Sequence, residues 1–258
     1  MSGKELRLRR LFPRGDSRLF AVPLDHSLTM GPLPGLQDLS STVATLQEGG
    51  VEAIIVHKGA LAAVQRALRP TTWVGVHLSA STTLGPQPER KYRAGTVADA
   101  VRRGADFVSV QVNFGTEQEG PMLQDLGAVA EESEDLGIPL LCMAYVRKPG
   151  RELDPESLAH ACRASVDLGA DIVKTSFPGR DGFRRMVDSV PAPLLVGGGP
   201  RLEREEDFLQ LVRDTVRAAG RGICIGRNVF QSPDPVRLGR KVKEILRGAG
   251  ELPAPDGR

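Results

Sequence analysis

The chain has 258 residues, enough for one large domain or two small ones with a sizeable core. Apolar residues make up 40% and charged residues 26%, an ordinary globular balance, and a formal net charge of +2 is too small to imply a nucleic-acid partner. No apolar run reaches the ~18 residues of a membrane span, and the basic start lacks the apolar stretch of a secretion signal, so a cytoplasmic protein without a membrane partner is expected.

In chain order, residues 1–18 read as an N-terminal arm. Its basic cluster, Lys4, Arg7, Arg9, Arg10 and Arg14, is expected in solvent or on a neighbouring subunit. Eight short β-type runs follow: Leu19–Leu24, Ala53–Val56, Trp73–Leu78, Phe107–Val112, Pro139–Tyr145, Ile172–Phe177, Pro193–Val196 and Gly222–Ile225. Helix-period segments accompany them at about 36–48, 60–67, 96–103, 123–136, 155–168, 181–188, 204–219 and 235–247. Asp154 before Pro155 is a helix start signal, and Gly49, Gly104, Gly137, Gly169 and Gly220 stand where left-handed helix ends are expected. Residues 248–258 read as a flexible tail. Cys142, Cys162 and Cys224 have unrelated spacings and read as small buried hydrophobes.

Eight β–α alternations with near-continuous apolar strands predict a single-domain (β/α)8 barrel over residues 19–247. An open doubly wound sheet would be expected to carry a dinucleotide fingerprint after its first strand, and there is none. In a barrel, the carboxyl ends of the strands carry the chemistry.

One strand breaks the apolar pattern. Lys174 lies inside Asp171-Ile172-Val173-Lys174-Thr175. Such a lysine either reaches solvent, pairs with Asp171, or loses charge. An ordinary lysine, pKa about 10.4, is neutral only ~0.04% of the time at pH 7; lowering it by ~3 units frees roughly a third of the amine, at about 4 kcal/mol. A free amine there would be a Schiff-base nucleophile.

Period 2 puts Met143 with Tyr145, and Ile172 with Lys174 and Ser176, so phenol and amine converge if both rows face inward. Tyr145 then either moves a substrate proton or merely lines the wall. Asp25, ending the first strand, either shuttles protons on a carbinolamine or caps a loop. Lys58 is the rival amine, at a glycine corner, and is expected to contact substrate. The glycines after strands seven and eight, Gly198 and Gly199, then Gly226 with Arg227, fit a phosphate cradle; a tight turn is the alternative. His26, His57 and His77 end the first three strands and could hold zinc, but no His-x-His or carboxylate-rich spacing accompanies them, and Lys174 would be left unexplained. Neither metal nor cofactor is therefore expected. A non-catalytic scaffold has no use for so many polar strand ends.

These strings resemble a known family. Val22-Pro-Leu-Asp-His26, His57-Lys-Gly59, His77-Leu-Ser-Ala-Ser-Thr82, Asp171-Ile-Val-Lys-Thr175 and Gly226-Arg-Asn-Val-Phe-Gln231 are similar to the archaeal-type class I aldolases, in particular the branch serving aminohydroxybenzoate biosynthesis. The resemblance runs from about residue 20 to 247. It implies a Schiff base on Lys174, acid–base work by Asp25 and Tyr145, and substrate contacts from His26, Ser79 and Arg147. It also implies a homo-oligomer such as a decamer. The implied donor is a phosphorylated ketone, either dihydroxyacetone phosphate or a deoxy-ketohexose phosphate. L-aspartate 4-semialdehyde is the implied acceptor, and class I fructose-1,6-bisphosphate aldolase is the alternative. The family's Tyr-Pro-Arg-Gly is here Tyr145-Val146-Arg147-Lys148-Pro149-Gly150, which alters a loop over the acceptor pocket.

Overall fold

The computed structural model describes residues 2–248. Eight parallel strands close a barrel: β1 (Leu19–Pro23), β2 (Ala53–Val56), β3 (Trp73–His77), β6 (Phe107–Phe114), β7 (Leu140–Val146), β8 (Ile172–Thr175), β9 (Leu194–Gly197) and β10 (Gly222–Cys224). Around the barrel the order is β1-β10-β9-β8-β7-β6-β3-β2. The remaining two strands, β4 (Ser79–Ala80) and β5 (Tyr92–Arg93), form an antiparallel ribbon in the connection after β3, pairing Ser79 with Arg93 and Ala80 with Tyr92. The expected tail falls outside the described residues except for Gly248. Among the described residues no helix is long and apolar enough to cross a membrane.

Eleven helices are described: α1 (Gly3–Leu11), α2 (His26–Met30), α3 (Leu39–Glu48), α4 (Leu61–Val64), α5 (Val97–Arg102), α6 (Glu119–Asp135), α7 (Pro155–Asp167), α8 (Arg180–Ser189), α9 (Glu205–Arg217), α10 (Arg227–Phe230) and α11 (Pro235–Leu246). The Asp154 carboxylate accepts from the Ser157 amide, capping α7 with Pro155 at its first position, as expected. The left-handed residues are Gly104, Gly137 and Gly169 as expected, but Gly50 and Ala219 take that role beside Gly49 and Gly220. At Gly220 the need is space: a Cβ would stand 2.7 Å from Thr215 and 2.8 Å from Phe183.

The alternating strands feed two cores. Outward residues such as Ile54, Val56, Val108, Val110 and Val173 pack under the helices. Inward residues Leu19, Ala21, Ala53, Ile55, Phe107, Leu141, Met143, Ile172, Leu195 and Cys224 fill the barrel, with Trp73 and Tyr145 packed against them. A Cβ at Gly75 would lie 2.4 Å from the Phe107 ring, so glycine on β3 makes room for that phenyl across the register.

The N-terminal segment is no solvated arm. Residues 3–11 form α1, opened by a reciprocal Ser2–Glu5 capping box, and Leu8, Leu11 and Phe12 join the inner core at the amino ends of the strands. Lys4 pairs with Glu134 at 2.8 Å and Asp171 at 3.3 Å, while the Arg7 guanidinium donates to the Gly137 carbonyl at 2.7 Å. Two of the five clustered cations are thus spent on the barrel itself. Acidic residues preceding strands tie neighbours at that same end: Glu52 accepts from the Phe20 amide, Asp106 from Val74 and Asp171 from Leu140.

Candidate active site

At the opposite end, the inward rows continue as polar residues. They line one cavity together: Asp25, His26, His57, His77, Ser79, Lys91, Gln111, Tyr145, Arg147, Lys174, Ser176, Gly198, Gly199, Cys224, Gly226 and Arg227. The alternative pairing of Lys174 with Asp171 does not occur, because Asp171 points to the far end of the strand, against Lys4 and the Leu140 amide. Nor does the amine snorkel out, since Lys174 is only 6% exposed.

The register sets Met143 beside Lys174, and the amine lies 3.8 Å from the Met143 sulfur and 6.0 Å from the centre of the Tyr145 ring. Gly197 explains how amine and phenol fit together. A Cβ there would meet the Tyr145 hydroxyl at 3.1 Å and Lys174 Cε at 3.2 Å, so bare backbone forms their shared wall.

Electrostatics correct one expectation. Burial pushes the Lys174 pKa down, as anticipated, but Cys224, Tyr145 and Asp25 push it up and the sum is upward. The first two act as thiolate and phenolate, species of alkaline solution, and burial raises the Cys224 thiol further. Near neutrality the contest is therefore between burial and the Asp25 carboxylate. Burial also works against that carboxylate, yet His77 and His26, then Lys174 and His57, outweigh it and hold Asp25 below the usual carboxylate range, the histidines acting as imidazolium, a species of acid solution.

The three histidines surround Asp25. His77 Nε2 lies 3.9 Å and His26 Nδ1 3.5 Å from its oxygens. His57 donates from Nδ1 to the His77 carbonyl at 3.2 Å, and His77 Nδ1 meets the Ser109 hydroxyl at 2.8 Å. Burial lowers the pKa of all three, that of His77 to about 3, so they are neutral dipoles around one anion. Among the described residues no three His, Cys, Asp or Glu side chains converge as metal ligands.

Across the cavity, Gly199 has φ +60°, and its carbonyl accepts from the Arg227 guanidinium at 2.7 Å. Arg227 Nε is buried without a partner. Asn228 ties the two loops, accepting from the Leu202 amide at 2.8 Å and donating to the Pro200 carbonyl at 3.3 Å. Gly226 again supplies space: a Cβ would lie 2.6 Å from the His26 ring.

Lys58 is the sequence-predicted residue that the fold leaves out. Its amine donates to the Ala94 carbonyl at 2.7 Å on the exposed side and does not line the cavity. Parity explains this. Ile55 and His57 face inward, Val56 and Lys58 outward. The same parity on β6 could have revealed Gln111, which sequence reasoning missed. Lys91 was missed too, though it sits in a connection of 19 residues between His77 and Val97, long enough to suggest function.

Residues 19–232 match the DeoC/LacD family aldolase profile. The chain belongs to the DeoC/LacD family of aldolases. This family member is 42% identical over 259 residues to 2-amino-4,5-dihydroxy-6-oxo-7-(phosphonooxy)heptanoate synthase of Streptomyces griseus, covering 97% of this chain and 94% of that one. It is 40% identical over 248 residues to 2-amino-3,7-dideoxy-D-threo-hept-6-ulosonate synthase of Halobacterium salinarum, covering 95% and 92%. An archaeal fructose-1,6-bisphosphate aldolase, solved with its catalytic lysine covalently bound to the carbinolamine intermediate of the substrate, superposes with a TM-score of 0.82 at 25% identity, covering 93% of this aldolase and 98% of that chain. The expected barrel and the expected class I aldolase are both met.

Proposed function

We propose that this aldolase forms a Schiff base through Lys174 with a phosphorylated ketone and condenses it with L-aspartate 4-semialdehyde, giving an amino-ketoheptulosonate precursor of an aminohydroxybenzoate or aromatic compound. The donor is dihydroxyacetone phosphate, or a deoxy-ketohexose phosphate whose central C–C bond breaks on the iminium, releasing three carbons as an aldehyde and leaving a three-carbon enamine for transfer. The observation that carries this reading is the convergence of Lys174, Tyr145 and Asp25 in one cavity, across from two glycine turns and Arg227. The Streptomyces and Halobacterium relatives, both named as synthases of amino-substituted seven-carbon acids, support the choice of acceptor.

The donor phosphate sits against Gly198, Gly199, Gly226 and Arg227, which fixes its carbonyl at Lys174. Asp25 takes a proton from the Lys174 ammonium, and the freed amine attacks the carbonyl carbon. The new alkoxide takes a proton from the attacking nitrogen, giving the carbinolamine, and Asp25 returns its own proton to that hydroxyl, which leaves as water. The dihydroxyacetone phosphate iminium then loses a proton from the adjacent carbon, with Tyr145 placed to relay it, and becomes an enamine. A hexose iminium reaches its enamine by C–C cleavage, Tyr145 taking the proton of the hydroxyl that becomes the departing aldehyde. The enamine carbon attacks the semialdehyde carbonyl, the new alkoxide takes up a proton, and water hydrolyses the iminium to release product.

Borohydride reduction with donor present, followed by peptide mass spectrometry, should place the adduct on Lys174. An adduct on Lys58 or Lys91, or none together with activity lost to a chelator, overturns the assignment. Likeness to the solved archaeal enzyme favours fructose-1,6-bisphosphate cleavage as the second reading. Assaying that cleavage against condensation with the semialdehyde separates the two. The homo-oligomer implied by the resemblance, up to a decamer, is tested by light scattering.

A further inference from the structure

Among the described residues three lysines are buried: Lys4, Lys91 and Lys174. Lys4 has its two carboxylates, and Lys174 has a role above. Lys91 is 8% exposed, and its amine meets only neutral acceptors, the Ser81 hydroxyl at 2.6 Å and the Pro88 carbonyl at 3.2 Å. Among the described residues no carboxylate lies within salt-bridge distance of it. A buried cation without a counter-charge is costly unless something anionic arrives. Burial accordingly pushes its pKa down, only partly offset by Glu89.

Position says what could arrive. Lys91 immediately precedes β5 of the ribbon folded over the cavity from the end of β3. In the closed strand order, β3 and β6 stand across the barrel from β9 and β10, which carry the glycine turns. A donor with its phosphate at those turns and its carbonyl at Lys174 presents its nucleophilic carbon to the opposite wall. Arg147, from the end of β7, lines that wall too. Its Nε pairs with Glu89 at 3.0 Å and its guanidinium carbon lies 5.1 Å from the centre of the Tyr145 ring, which fixes it over the cavity.

We propose that Lys91, assisted by Arg147, is the receptor for the carboxylate of the acceptor aldehyde and sets the preference for a carboxylate-bearing aldehyde. This rests on the Schiff-base reading above. The ribbon is then a specificity element: strands hold the reacting carbonyl, and the inserted connection reads the far end of its partner.

Wild type and Lys91→Met are compared on three acceptors: L-aspartate 4-semialdehyde, succinic semialdehyde, which keeps the carboxylate, and 3-aminopropanal, which lacks it. The preference for either carboxylate-bearing aldehyde over 3-aminopropanal should fall at least about ten-fold, through KM, with Lys91→Arg recovering part of it. Donor alone should still give the borohydride adduct in Lys91→Met. Binding of L-homoserine, the acceptor with its aldehyde reduced to an alcohol, should weaken by about the same factor in calorimetry, whatever happens at Lys174. Equal losses on all three aldehydes, unchanged homoserine binding, or loss of the donor adduct would each overturn the assignment of Lys91. A wild type that binds homoserine but forms no donor adduct would instead defeat the Schiff-base reading and leave the Lys91 result standing.

Discussion

The same eight strands end in two different ways. At their amino ends the inward side chains are Leu19, Trp73, Phe107 and Ile172, covered by α1, and every buried charge has a partner, as Lys4 does with Glu134 and Asp171. At their carboxyl ends the inward side chains are Asp25, three neutral histidines, Tyr145 and Lys174, and Lys91 and Arg227 keep polar atoms that no carboxylate answers. One end is satisfied and the other is poised. The contrast teaches that stability and chemistry are separated along the barrel axis, so substitutions at the two ends should fail in different assays.

The largest effect tests the poised end. Lys174→Met should remove the borohydride adduct and lower turnover by at least about a thousand-fold. Its urea midpoint should fall only modestly, because an apolar chain of similar length fills the space and Asp25, losing a cationic neighbour, can take up a proton instead of holding an unpaired charge. A variant that unfolds early would break the separation. At the satisfied end, Phe107→Ala should cost about 3–5 kcal/mol in urea unfolding, while folded protein still forms the Lys174 adduct. Loss of adduct in folded Phe107→Ala would show that the two ends are coupled.

The pH dependence sharpens the comparison. His77 is held neutral, its pKa brought down to about 3, against about 6.5 in an unfolded chain. Between those values the unfolded chain binds a proton that the native one refuses, so acid favours unfolding. This contribution is whole above about pH 6.5 and is lost at about 1.4 kcal/mol per pH unit as the pH falls toward 3. Urea unfolding at several pH values between 4 and 6.5 should give a flatter profile for His77→Gln than for wild type; parallel profiles would count against a neutral imidazole. The smallest effect belongs to Arg7→Ala, which removes one guanidinium bond to the Gly137 carbonyl. It should lower unfolding free energy by about 1–2 kcal/mol and leave KM for both substrates alone.

Much of this was legible because a strand is its own ruler. Apolar runs located the barrel strands, and alternation brought Tyr145 and Lys174 to one cavity wall. Lys58 shows the cost of using strand ends without parity, since counting from Ile55 sends it outward. The direction of the Lys174 shift was hidden for another reason: it depends on Cys224, Tyr145 and Asp25, which arrive from three other strands around the barrel. α1 was hidden by its charges, although Ser2 and Glu5 carry a capping-box signature and Leu8, Leu11 and Phe12 its apolar side. Two-residue strands such as Ser79–Ala80 show no period at all, and the ribbon they build carries Lys91.

The stopper formed by α1 turns the cylinder into a blind well. Whatever reaches the amine at its depth goes in past Lys91 and Arg147 and comes back by the same mouth. A queue of that kind suits ordered kinetics, with the sugar phosphate admitted first and covalently parked, and the second substrate settling above it like a lid.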